Sequence, residues 1–212
     1  MKTFIISLVA HCERVWWDPS YDGLRRAVEA IVSLQNELSA SLQKPVTSTF
    51  CTHIDHDSTT SYVVDAKEAP DVVQLIVSNH NELGLHIHGP TKQHINAYQD
   101  QCIVPDANIL EKLGLPRPQT YTAGDWVTGD TIVQQLELAH FKVDCSSYSL
   151  EGTLKRFGVE LDYSRPTLLP YRPGRSNIRA DGNSSIVEIP VSGNLTEFGH
   201  SVYSGFLPIQ RI

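Results

Sequence analysis

Residues 81–89 read NELGLHIHG, two histidines two positions apart inside an apolar run. In a β-strand side chains alternate between faces, so His86 and His88 share one face while Leu85 and Ile87 fill the other. Two imidazoles then aim at one spot, and the strand that carries them is buried on its opposite side. A strand of this kind belongs inside a layered structure, so its neighbours in the sequence decide which one.

Upstream, residues 3–10 (TFIISLVA) form a short apolar run rich in β-formers, and residues 46–52 (VTSTFCT) form a second, more polar one. Between them, YDGLRRAVEAIVSLQNELSASLQ sets Leu24, Val28, Ile31, Leu34 (or Gln35) and Leu38 at helical spacing. APDVVQLIVSNHN predicts a helix with Pro70 in its first turn, followed by the strand LGLHIH. GDTIVQQLELAHF predicts a further helix running into the strand KVDCSS, and SSIVEIPVS gives a late strand after the turn signal DGN. Strands alternating with helices imply parallel pairing and a layered or barrel α/β fold. Residues 89–120 and 160–183, rich in Pro, Gly, Asn and Arg, read as long loops of the sort that wall or cover a site.

The chain of 212 residues suffices for a single domain spanning 1–212 with a real core. Its 41% apolar and 19% charged content is that of an ordinary globular protein. The formal net charge of −7, with no cluster of Lys and Arg, argues against a nucleic-acid partner. No apolar stretch reaches the 18 or so residues of a membrane span, and MKTFIISLV is too short an apolar run, without a cleavage site after it, for a signal peptide. Cys12, Cys51, Cys102 and Cys145 form no CxxC pair and no dense framework, which suits buried thiols in a reducing compartment; a cytoplasmic location is the expectation.

Six of the nine histidines fall between His53 and His94, and CTHIDHD adds Asp55 and Asp57 to the same window. In parallel α/β folds ligands bind beyond the carboxyl ends of the strands, where both HIDHD and HIH fall. His11 and Glu13, ending the first strand in VAHCE, and Asp144, in KVD, belong to the same rim. A borderline divalent ion such as zinc takes imidazole nitrogen and carboxylate oxygen and keeps one position open in a catalytic site. Two histidines and a carboxylate make such a set. Each alone reads as readily as a hydrogen-bonded core histidine, a strand-end surface residue or, for Asp144, a turn cap. No GxSxG, Walker loop or GxGxxG offers another chemistry, and Cys145 reads as a small buried residue. Trp16, Trp17 and Trp126 serve equally as packing or as walls of a sugar subsite.

In their order, KPVTSTFCTHID, NELGLHIHG, TYTAGDWVTGDTIVQQLELAHFKVDCSS and TLLPYRPGRSNIRADGNSSIVEIPVS resemble the polysaccharide deacetylase (NodB-like) family, from residue 3 to about 192. The resemblance implies an incomplete (β/α) barrel of about seven strands, a divalent metal and hydrolysis of an N-acetyl group on a sugar or small glycoside. It implies metal ligands at His86 and His88, with Asp55 in place of the family's first-motif carboxylate and Glu13 as the competing candidate. His11 or Glu13 then stands as general base, Asp144 orients the acid, His200 is a weak candidate for that acid, and Trp126 and Arg172 line the pocket. The chain departs from the family pattern in several places. The first-strand aspartate pair is replaced by His11, Cys12 and Glu13. The histidines stand two apart instead of four, TAG replaces an arginine-bearing motif, and the closing leucine-histidine motif has no clear counterpart. A different metal-dependent hydrolase (phosphoesterase or amidohydrolase) and a non-catalytic carbohydrate-binding relative are the alternatives. A barrel lacking its last strand exposes an edge, which the tail 193–212 or a second copy of the chain is expected to cover.

Overall fold

The computed structural model describes residues 9–12, 20–56, 62–88, 95–124, 128–129, 131–147, 153–156, 159–162 and 169–190. The HxH run forms β4 (Glu82–His88), the middle of a curled sheet, and β2 (Thr49–His56) lies parallel to it in a register that pairs His53 with His86 and Asp55 with His88. On β2's other edge runs β1 (Val9–Cys12), also parallel. Beyond β4 the order continues through β5 (Thr120–Ala123) and β6 (Val143–Asp144) to β11 (Val187–Glu188), all parallel. Six parallel strands thus make a curled half-barrel with helices around it, as expected for an incomplete (β/α) barrel. A seventh strand, β3 (Tyr62–Val64), is antiparallel and pairs with the last residues of β2.

β4 is buried on both faces, as a central parallel strand must be. Leu83, Leu85 and Ile87 join Phe50, Ile54, Tyr121 and Phe141 in the layer beneath the helices, each fully buried side chain contributing roughly 1.5–3 kcal/mol. The outer layer is formed by α1 (Asp22–Leu42) beside α3 (Pro70–Ser78), and by α4 (Ile95–Lys112) beside α5 (Ile132–Leu138). Pro70 begins α3, where its missing N–H costs nothing. A short α2 (Asp65–Glu68) links β3 to α3. Two small antiparallel ribbons complete the described parts: β7 (Thr153–Arg156) with β8 (Val159–Asp162), and β9 (Pro173–Gly174) with β10 (Asn177–Asp181).

Three expectations change. Residues 89–120 are no long loop, since α4 and the start of β5 lie there; Pro105 sits exposed within the helix while Cys102, Ile103, Asp106, Ala107 and Leu110 are buried. Within 160–183 the chain forms the end of β8 and the β9–β10 ribbon. The inward stripe of α1 is Val28, Val32 and Gln35, while Leu34 and Leu38 face outward. Gln35 is tolerated inside because its amide donates to Ser48 Oγ at 2.7 Å and Asn81 Oδ1 at 2.8 Å. The four cysteines are free and buried, as expected; burial pushes the Cys51 thiol up to about 12. Among the described residues no helix is long and apolar enough to cross a membrane.

Candidate metal and active site

The alternation that puts Leu85 and Ile87 under the helices turns His86 to the concave face of the sheet, where it is 1% exposed. Its Nδ1 lies 2.9 Å from the carbonyl oxygen of Thr122 on β5. A carbonyl only accepts, so Nδ1 carries the proton and the Nε2 of the neutral ring is left with its lone pair. That Nε2 stands 3.0 Å from Nε2 of His88, the two rings nearly perpendicular at 79°. Gly124, just past β5, makes room for the second ring: a Cβ there would lie 2.7 Å from His88 Cδ2.

Across the register, His53 joins the two. Its ring centroid is 4.7 Å from that of His88 and 5.6 Å from that of His86. His53 Nδ1 lies 3.3 Å from Asp65 Oδ2, and the other carboxylate oxygen accepts from the Tyr21 hydroxyl at 2.5 Å. Asp65 and Tyr21 are buried, 3% and 7% exposed. Asp65 reaches this place because the β3 hairpin folds back along β2 and delivers the chain to α2. Sequence reasoning missed His53, Asp65 and Tyr21; the signal was the first histidine of HIDHD, which alternation places on the face of His86 once the register is known.

A second polar cluster closes the other side of the sheet. Asp144 and Glu188 are register partners on β6 and β11, both fully buried. Ser146 Oγ donates to Asp144 while accepting the Ala123 N–H at 2.9 Å, and Glu188 Oε1 accepts the Ser147 N–H at 2.9 Å. Burial first, and then the adjacent charge of Asp144, hold the Glu188 carboxyl well above the usual carboxylate range. At the amino ends of the strands, Glu82 ties three of them together, accepting from Thr49 Oγ1 at 2.8 Å and Thr120 Oγ1 at 2.9 Å. That end of such a barrel serves stability.

Of the residues singled out from sequence, His86 and His88 are brought together. Asp55 pairs with His88 through the backbone and His11 lies in β1, but their side chains fall outside the described residues, as do Glu13, Trp126 and His200 altogether. The tail 193–212 and its expected covering role lie outside them too. Asp144 sits two strands along the sheet from β4, engaged with Ser146 and Glu188. Arg172 donates from Nη1 to the carbonyls of Ser184 and Ser185, both at 3.0 Å, which makes it a staple between the β9 and β11 segments. Among the described residues no three His, Cys, Asp or Glu side chains converge as a finished metal-holding group; two imidazole nitrogens do, and a third ring stands beside them.

No family model matches the sequence, and no curated protein matches it. Among solved structures the fold is similar to the crystal structure of a "putative polysaccharide deacetylase" from Mycobacterium smegmatis, with a TM-score of 0.57 and 15% sequence identity over 97% of this chain. The match covers 64% of that protein, so the present chain spans less than two thirds of it. At this identity the likeness is one of fold, a distant structural relationship.

Proposed function

We propose that the protein is a metal-dependent hydrolase of the deacetylase type, removing the N-acetyl group from a sugar or small glycoside. The observation that carries this reading is the His86–His88 pair, whose Nε2 atoms face each other at 3.0 Å on the concave face. Thr122's carbonyl fixes the His86 tautomer that leaves Nε2 as a donor, the usual supporting contact of a metal-ligating histidine. The donor chemistry fits a divalent ion, zinc in the first instance, held by His86 and His88 with Asp55, the strand partner of His88, as carboxylate. Bound there, zinc would polarise the acetyl carbonyl and make water a nucleophile near neutral pH.

The remaining work falls to the chain's own residues. His11 or Glu13, at the end of β1, is proposed to take the proton from the attacking water, a role that contributes typically a hundredfold to ten-thousandfold. The leaving amine needs a proton in return. Asp144 is proposed to orient the group that delivers it, and Trp126 and Arg172 to line the sugar. The similarity to a solved deacetylase-like fold supports the substrate class. The test is acetate release from a panel of N-acetylated sugars, nucleotide sugars and small glycosides, with zinc supplied. Turnover by the parent that is lost in His86→Ala and His88→Ala is the expected result. No acetate from any substrate, with one equivalent of zinc demonstrably bound, would refute the deacetylase assignment.

A further inference from the structure

We infer that His53 is a third nitrogen donor of the proposed centre, held in tautomer and direction by the buried Asp65 and Tyr21. The inference rests on the metal reading above and concerns which side chains complete it. It changes the ligand set, since the sequence assigned only Asp55, His86 and His88.

The spacing of the three rings carries the argument. In a tetrahedral site with metal–nitrogen bonds of about 2.05 Å, imidazole centroids lie about 3.2 Å from the ion and about 5.2 Å from one another. The centroids of His53, His86 and His88 are 4.7, 4.8 and 5.6 Å apart, straddling that value. The facing nitrogens of His86 and His88, at 3.0 Å, need only part to about 3.3 Å to share an ion in the same geometry. Among the described residues no three such side chains form a finished metal-holding group, so binding asks the three rings to draw together with Asp65 still against His53 Nδ1.

The second observation is orientation. Asp65 presents an acceptor oxygen to His53 Nδ1, so that nitrogen carries the proton and Nε2 is the donor of the neutral ring. The carboxylate is in turn fixed by the Tyr21 hydroxyl. A buried carboxylate behind a histidine, oriented by a further hydrogen bond, is the arrangement that raises ligand basicity and holds a ring on a metal. His86 is backed in the same way by a carbonyl. Two rings from two neighbouring strands are thus prepared at the same nitrogen, and His88 supplies the third.

The experiment is a competition titration of the full chain with zinc and with cobalt(II), the latter read by its visible spectrum. Expected is one ion per chain in the parent. His53→Ala should weaken binding at least a hundredfold, and Asp65→Asn and Tyr21→Phe roughly tenfold each. Free imidazole should restore the cobalt spectrum of His53→Gly, which a merely structural histidine would not produce. Retention of parental affinity in His53→Ala, while His86→Ala and His88→Ala lose it, overturns this inference and leaves the metal reading standing. Failure of the parent to bind either ion overturns both. If circular dichroism shows His53→Ala to be unfolded, the milder Asp65→Asn and Tyr21→Phe decide: unchanged affinity in both overturns the inference.

Discussion

Gly124→Ala tests how tightly the second imidazole is held. The added methyl would lie 2.7 Å from Cδ2 and 2.8 Å from Cγ of His88, and closer still to the carbonyl oxygen of Ile87. Carbon atoms rest at about 3.5 Å or more, so the ring must retreat by about 0.8 Å. A displacement of that size breaks the 3.0 Å approach of the two Nε2 atoms. The Ile87 carbonyl cannot retreat as easily, because Ile87 pairs with Ala123 in the β4–β5 ladder. With backbone on one side and a half-buried ring on the other, the cost belongs at the upper end of overpacking, about 3 kcal/mol. For a chain of this size that is a fall in Tm of about 6–12 °C. Scanning calorimetry measures the first effect, and long-range proton–nitrogen spectra of the imidazoles measure the second. Gly114→Ala is the control: at φ +76° with nothing within 4 Å, it carries only a left-handed backbone cost of about 1–2 kcal/mol and should leave the His88 resonances in place. A Gly124→Ala protein that melts within about 2 °C of the parent with unaltered His88 signals would refute the packing argument.

Other expectations concern the rest of the sheet. Because the Glu188 carboxyl is held well above its ordinary range, the folded state binds a proton that the unfolded chain gives up near pH 4.3, about the free glutamate value. Its contribution to stability is therefore full below that pH and is lost as pH rises towards the folded value. Glu188→Gln, which keeps a donor towards Asp144 and does not titrate, should gain in Tm relative to the parent as pH goes from 4 to 8; a difference independent of pH would contradict this. Glu82→Ala strips acceptors from Thr49 and Thr120 and should cost about 1–3 kcal/mol by urea unfolding without altering the imidazole spectra. Arg172→Ala should cost about 1 kcal/mol by releasing the Ser184 and Ser185 carbonyls, and a rise in KM on an acetylated substrate would show that the same side chain also reaches the sugar.

The strand of His86 and His88 was legible because alternation is a local rule, and the helix–strand succession around it was legible for the same reason. α4 was not, because Pro105 and a run of polar residues interrupt its stripe, and its buried face, Cys102, Ile103, Ala107 and Leu110, is narrow. Spacing leaves Leu34 or Gln35 as the inward residue, and Gln35 takes that place through partners at Ser48 and Asn81 that lie far away in sequence. The site divides along the same line. Its HxH half follows from one strand, whereas His53 and Asp65 meet only because β3 doubles back on β2. Likewise Asp144 and Glu188, 44 residues apart, become neighbours only through the β6–β11 register.

β2 shares one edge between two strands: β1 runs beside Thr49–Thr52 and β3 beside Ile54–His56. This division has a consequence for the order in which the molecule assembles. The hairpin that delivers Asp65 to His53 closes a short loop, and β4 follows soon after, so His53, Asp65, His86 and His88 lie within 36 residues of chain. The β6–β11 pairing closes a longer loop, at greater entropic cost. Contacts near in sequence form early and distant ones late. The imidazole cluster thus belongs to the part of the sheet able to condense first, before the last strand docks.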